Sequence, residues 1–170
     1  MSGTGELCDI KKNPPRWMTC AESHLLFTGL AKAGGEGRFV GGCVRDALLG
    51  VVSDDIDVCT NLEPEIVMSA LSGAGIRVIP TGLKHGTVTA LVGAYKYEIT
   101  TLRVDVETDG RHAKVHFTTD WREDAARRDF TINALYLTEK GELHDYFDGM
   151  QDLKAGTVKF IGDADARIEE

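Results

Sequence analysis

The sequence predicts an α/β fold, strictly α+β, in which one mixed β-sheet is flanked by helices. Three observations predict it. Apolar residues recur at helical spacing in two segments that end on glycines, at Gly34-Gly35 and at Gly73 to Gly75. Short β-branched runs are bounded by turn residues, and residues 87–92 and 95–102 flank Gly93-Ala94 as an antiparallel hairpin does. A length of 170 residues, 42% hydrophobic and 27% charged, suits one domain with a sizeable core.

In chain order, residues 1–16 are polar, contain Pro14-Pro15 and show no period, so they read as a loose arm. Leu25, Leu26, Leu30 and Ala33 give residues 17–33 the period of a helix packed on the domain. Phe39-Val40 reads as a strand, Gly41-Gly42 as a tight turn, and residues 44–49 as the opening of a helix. After the strand around Asp57, Pro64 starts a helix whose buried face is Ile66, Val67, Ala70 and Leu71. Residues 77–79 form a short strand and residues 81–86 a loop before the hairpin. The charged stretch 104–111 fits a mobile loop, and Ala113-Lys114-Val115 reads as extended. Asp120 caps a helix that Arg127-Arg128 close. Residues 135–137 and 143–146 are strands joined through Lys140-Gly141. Asp148-Gly149 opens a turn and short helix to residue 155, and residues 158–161 form a last strand. The expected organisation is an arm with a leading helix at 1–37, a catalytic unit at 38–162, and the start of a further helix at 163–170.

Nineteen basic against twenty-seven acidic residues give a net charge of −8, the wrong sign for a surface that tracks a phosphate backbone throughout. Any nucleic-acid contact is therefore local. Cys8, Cys20, Cys43 and Cys59 form no C-x-x-C pair, which excludes a zinc knuckle and points to buried free thiols in a reducing compartment. No apolar run approaches a membrane span and the N-terminus lacks a signal layout, so a cytoplasmic protein is expected, with an organelle as the alternative.

The chemistry gathers around Gly41 to Asp57. The Gly41-Gly42 turn lets backbone N–H groups approach an anion, and Arg45 on the helix behind it faces the same way. In Asp55-Ile56-Asp57 the two carboxylates share one face of a strand while Ile56 enters the core. Adjacent carboxylates repel unless a cation lies between them, and Mg²⁺ takes such oxygen ligands together with substrate phosphates. Glu98 stands alone in an apolar, β-branched strand; it either faces solvent or joins a metal site. His112 and His116 lie four apart on an extended segment, where that spacing builds no metal pair.

Gly-Gly-Cys-Val-Arg-Asp at 41–46, Asp55-Ile56-Asp57, and Arg127-Arg128-Asp129-Phe130-Thr131-Ile132-Asn133-Ala134-Leu135, in this order, resemble the class II tRNA nucleotidyltransferases, or CCA-adding enzymes, and the related bacterial poly(A) polymerases. Lys84-His85-Gly86-Thr87, the stretch from Glu98 to Arg103, and the loop from Asp109 to Ala113 extend the match. The resemblance implies a polymerase-β-type nucleotidyltransferase head that moves CMP and AMP from CTP and ATP to the 3′ end of tRNA. It implies two Mg²⁺ ions on Asp55 and Asp57, with Glu98 as the third acidic residue. Gly41, Gly42 and Arg45 would hold the triphosphate, and Arg128, Asp129 and Asn133 the ribose side. The base-reading motif begins at Glu170, and the body and tail that grip tRNA would lie beyond it. Head motifs alone leave open CCA, CC, A and poly(A) addition, as well as a nucleotide-binding module without turnover.

Overall fold

The turn at Gly93-Ala94 dictates the centre of the sheet. It joins β4 (Thr87–Val92) to β5 (Tyr95–Thr101) as an antiparallel hairpin in unbroken register. In the computed structural model, which describes residues 5–108 and 112–162, this hairpin lies within a seven-stranded sheet. The other members are β1 (Gly37–Val40), β2 (Ile56–Thr60), β3 (Arg77–Gly82), β8 (Leu135–Leu137) and β9 (Leu143–Asp145), in the order β3-β4-β5-β2-β1-β8-β9. β2 and β5 run parallel and every other adjacent pair is antiparallel, so the sheet is mixed as expected. Strand alternation divides it into two faces.

One face carries Phe39, Val58, Tyr97, Ile99, Leu135 and Leu137 into the main core. That core is covered by α2 (Ala21–Lys32), α3 (Gly42–Leu48) and α4 (Pro64–Gly73). Its helical contributors are Leu26, Phe27 and Leu30 with Val44, Val67 and Leu71. Leu25 and Ile66, expected inside, stay about half exposed, at 42% and 45%, because the inward faces of α2 and α4 centre on Leu26 and Leu30 and on Val67 and Leu71. The arm is not loose: Ile10 is buried in this core, and the Cys8 amide donates to the Leu48 carbonyl. The helix expected across 17–33 breaks at Cys20, whose extended backbone separates α1 (Arg16–Thr19) from α2.

The opposite face is smaller. Val40, Cys59, Leu102, Ala134 and Tyr136 meet Trp121 and Ala125 of α5 (Trp121–Ala126) there. Asp120 caps α5 as expected, its carboxylate accepting from the Arg122 and Glu123 amides. Of the loop expected at 104–111, the described residues 104–108 belong instead to a two-stranded ribbon, β6 (Arg103–Thr108) against β7 (His112–Phe117). Val104, Val106, Val115 and Phe117 supply β-branched and aromatic residues that suit strands, and local charge hides that signal. Asp109, Gly110 and Arg111 lie outside the described residues, as does the helix start expected at 163–170 with Glu170. The last expected strand reduces to one bridge, Phe130 to Phe160, and α6 (Gly149–Ala155) precedes it.

Candidate active site

Asp57 is the second residue of β2 and points to the smaller face, the side opposite its neighbours Ile56 and Val58. The parallel pairing of β2 and β5 places Glu98 directly beside it. Register is the whole of this arrangement, since a slip of one residue would send either side chain to the main core. Asp55 precedes the strand and is exposed; Glu98 is exposed too, so it faces solvent and neighbours Asp57 at once. Burial pushes the Asp57 carboxyl up to about 6, the charges of Glu98 and Asp55 push the same way, and Arg128 opposes them. The one charge that opposes them, on Arg128, does not offset burial and the two carboxylates.

The turn after β1 brings backbone to the same place. Gly41 adopts φ 77° and ψ −139°, which L side chains rarely adopt, and a methyl group there would stand 4.0 Å from Asp57 Oδ2 and from the Asn133 carbonyl oxygen. α3 starts at Gly42, so its unpaired first amides begin beside the carboxylates. Arg45, on the next turn, donates from Nη1 to Asn133 Oδ1 at 2.7 Å and from Nε to Asp46 Oδ1 at 3.1 Å. Asn133 in turn donates from Nδ2 to Asp129 Oδ1 at 3.2 Å. Gly41, Gly42, Arg45, Asp129 and Asn133 thus form one polar row beside Asp57.

Arg128 is placed differently. It lies on the same face of β2 as Asp57 but farther along the strand, donating from Nη2 to Asp124 Oδ2 and to Cys59 Sγ, each at 3.2 Å, and from Nε to Tyr136 Oη at 3.2 Å. The family resemblance implies a place for it on the ribose side; in the fold its donors go to Asp124, Cys59 and Tyr136, and its charge acts on Asp57 through space. Asp124, Tyr136 and Cys59 escaped that reading. The available signal was the i, i+4 spacing of Asp124 and Arg128, which ordinary surface helices also show.

These groups suit a divalent cation bound in an open site. Among the described residues no three side chains of metal-ligating type cage an ion by themselves, and Mg²⁺ normally takes one or two carboxylates plus substrate phosphates and water. Asp57 and Glu98, short of positive charge on an open face, meet that description. A groove of about 540 Å³ lies elsewhere, between the arm and the loop after α3, and none of the candidate site residues lines it.

A sequence model described as the poly A polymerase head domain matches residues 37–159, from the first strand past α6. The chain belongs to that family. The head is 53% identical over 134 residues to the human CCA tRNA nucleotidyltransferase 1, mitochondrial, covering 78% of this chain and 31% of the relative. It is 45% identical over 147 residues to the CCA-adding enzyme of Oceanobacillus iheyensis, covering 85% and 36%. The chain therefore spans about a third of the length of the curated relatives it matches. In structure the head superposes on the Bacillus stearothermophilus CCA-adding enzyme in complex with CTP, with a TM-score of 0.78 and 34% identity over 92% of this chain and 36% of that one. The family's head fold is the mixed sheet with flanking helices described above. Among the described residues no helix is long and apolar enough to cross a membrane.

Proposed function

We propose that this chain is the catalytic head of a tRNA nucleotidyltransferase that adds CMP and AMP from CTP and ATP to the 3′ end of tRNA and releases pyrophosphate. The observation that carries the reading is the register of β2 on β5, which sets Asp57 beside Glu98 next to the Gly41 turn. Residues 38–162 are the catalytic unit, and 1–37 form its N-terminal arm and leading helix. The names of relatives, including the CTP complex, support the substrate class. Three vertebrate relatives carry "mitochondrial" in their names, so an organellar site of action stands beside a cytoplasmic one.

In this reading the RNA 3′-hydroxyl attacks the α-phosphate, and the bond from that phosphorus to the bridging oxygen of pyrophosphate breaks. Asp55 and Asp57 hold the divalent cation site, and Glu98 completes it on the attacking side. Two Mg²⁺ ions bound there supply a lowered hydroxyl pKa and neutralise the leaving group. Gly42 and the first amides of α3 lie against the triphosphate, and the Arg45 guanidinium pairs with its oxygens. Asn133 and Asp129, already bonded to each other, present amide and carboxylate to the ribose. Arg128 contributes charge from behind. The −8 chain offers no general basic surface for an acceptor stem, so the grip on tRNA belongs to regions outside the head.

The test is incorporation of labelled CMP and then AMP into a tRNA lacking its terminal CCA, by a protein that carries this head. Ordered addition of C, C and A is expected, and it is expected to vanish in Asp57→Asn. Addition of A alone would move the reading to poly(A) polymerase. No addition, with CTP still bound in Mg²⁺, would leave a binding module.

A further inference from the structure

Asp124 is fully buried, and both of its oxygens are in use. Oδ2 accepts from Tyr136 Oη at 2.6 Å and from Arg128 Nη2 at 3.2 Å; Oδ1 accepts from Arg127 Nε and from the Arg103 amide, each at 3.1 Å. Arg128 also reaches Cys59 Sγ, and Cys59 lies two residues beyond Asp57 on the same face of β2. Two residues of strand span about 7 Å. The guanidinium is therefore parked one side-chain repeat behind Asp57, near enough to act through space and bonded to other groups.

We propose that Asp124 is a positioning residue for the transfer reaction: it holds Arg128 back from Asp57, so that the carboxylate oxygens stay open to a divalent cation. The inference rests on the reading of Asp57 as a cation ligand. A buried guanidinium stripped of its carboxylate is costly, and it moves to whatever anion lies nearest. Asp57 is an anion that the Arg128 charge already reaches. An Arg128–Asp57 pair would occupy the oxygens and cancel the charge that attracts the cation. Tyr136 and Cys59 complete the cradle, but they are neutral and do not replace the charge of Asp124.

The experiment titrates the 170-residue chain with Mn²⁺, followed by water-proton relaxation, and compares variants whose folding is confirmed by thermal unfolding. Asp124→Asn is expected to weaken Mn²⁺ binding at least tenfold. Asp124→Asn/Arg128→Gln, in which residue 128 carries no guanidinium that could move onto Asp57, is expected to bind within threefold of the wild type. A purely structural role for Asp124 would leave the folded protein's affinity unchanged in Asp124→Asn, or would make the double variant as weak as the single one; either result overturns the proposal. Where Asp124→Asn does not fold, the double variant alone decides, wild-type-like binding supporting the proposal and a tenfold loss overturning it. Asp57→Asn separates the two readings. If it leaves Mn²⁺ binding intact, the assignment of Asp57 fails; if it abolishes binding while Asp124→Asn does not weaken it, only the role of Asp124 fails.

Discussion

Asp57 and Asp124 both leave water on the smaller face of the sheet, both feel Arg128, and they respond in opposite directions. Asp57 is pushed up to about 6 by burial and by two further carboxylates. Burial presses on Asp124 in the same sense, yet Arg128, Arg127 and the Tyr136 hydroxyl hold its carboxyl below the usual range. Desolvation is common to the two; partners decide the outcome. Asp124 is a satisfied anion that stabilises the fold. Asp57 is an unsatisfied one, and in the function proposed above its partner is the cation.

The largest test of the contrast is Asp124→Ala. It removes the buried anion shared by Arg127 and Arg128, and breaking such a pair costs about 3–5 kcal/mol, so urea unfolding followed by circular dichroism is expected to show a loss of that size. Asp57→Asn is expected to do the reverse: at least about a hundredfold loss of nucleotide incorporation, the scale of removing one preorganised electrostatic group, with an unfolding midpoint equal to or above that of the wild type. A protein that lost stability in Asp57→Asn would erase the distinction between the two carboxylates. Arg45→Ala ranks next. A charge-assisted phosphate contact contributes about 1.5–3 kcal/mol, so calorimetry in Mg²⁺ is expected to show CTP and ATP affinities both reduced at least about tenfold. Loss for one nucleotide alone would mean that Arg45 reads the base.

The smallest effect is on pH. Because the folded-state value of Asp57 lies above its ordinary 3.8, the native state holds a proton that the unfolded chain releases. The contribution of this one group to stability is therefore full below that ordinary value and is lost as pH rises to about 6. Discounted for partial exposure, the fall is roughly 1 kcal/mol in metal-free buffer. Thermal scans across this window with a chelator present measure it, and Asp57→Asn is expected to remove it.

The site was legible where its chemistry is local in sequence. A Gly-Gly turn, an Asp-x-Asp strand and a lone Glu98 in an apolar run each carry a short-range signature, and pairing of two strands was enough to bring Asp57 and Glu98 together. The main core was legible through periods in α2 and α4, although Leu25 and Ile66 fell on the wrong side because a short amphipathic window does not fix the facing angle. The Asp124 network was not legible. Its members come from β2, α5, the end of that helix and β8, and only the closing of the sheet makes them neighbours. Arg128 illustrates the difficulty: its place in the motif is visible in the sequence, but the direction of its side chain depends on an aspartate four residues earlier that looks like any surface helix charge. Ile10 escaped because its core partners are distant in sequence, whereas the β6–β7 ribbon pairs locally and its charged residues hid the strand signal.

The two tryptophans of the chain sit on opposite sides of the sheet. Trp17 packs edge-on against Phe39 in the main core, whereas Trp121 lies under the Arg38 guanidinium at 4.0 Å and edge-on to Tyr136, whose hydroxyl touches Asp124. Each indole is thus an optical reporter of one face. In a Trp17→Phe protein the remaining indole emission comes from the smaller face alone, where a cation stacked on the ring and a tyrosine beside it make intensity sensitive to small displacements. Rearrangement of the Arg128 cradle then becomes a fluorescence signal that needs no attached dye, and it can be followed in stopped flow as nucleotide and metal are mixed in.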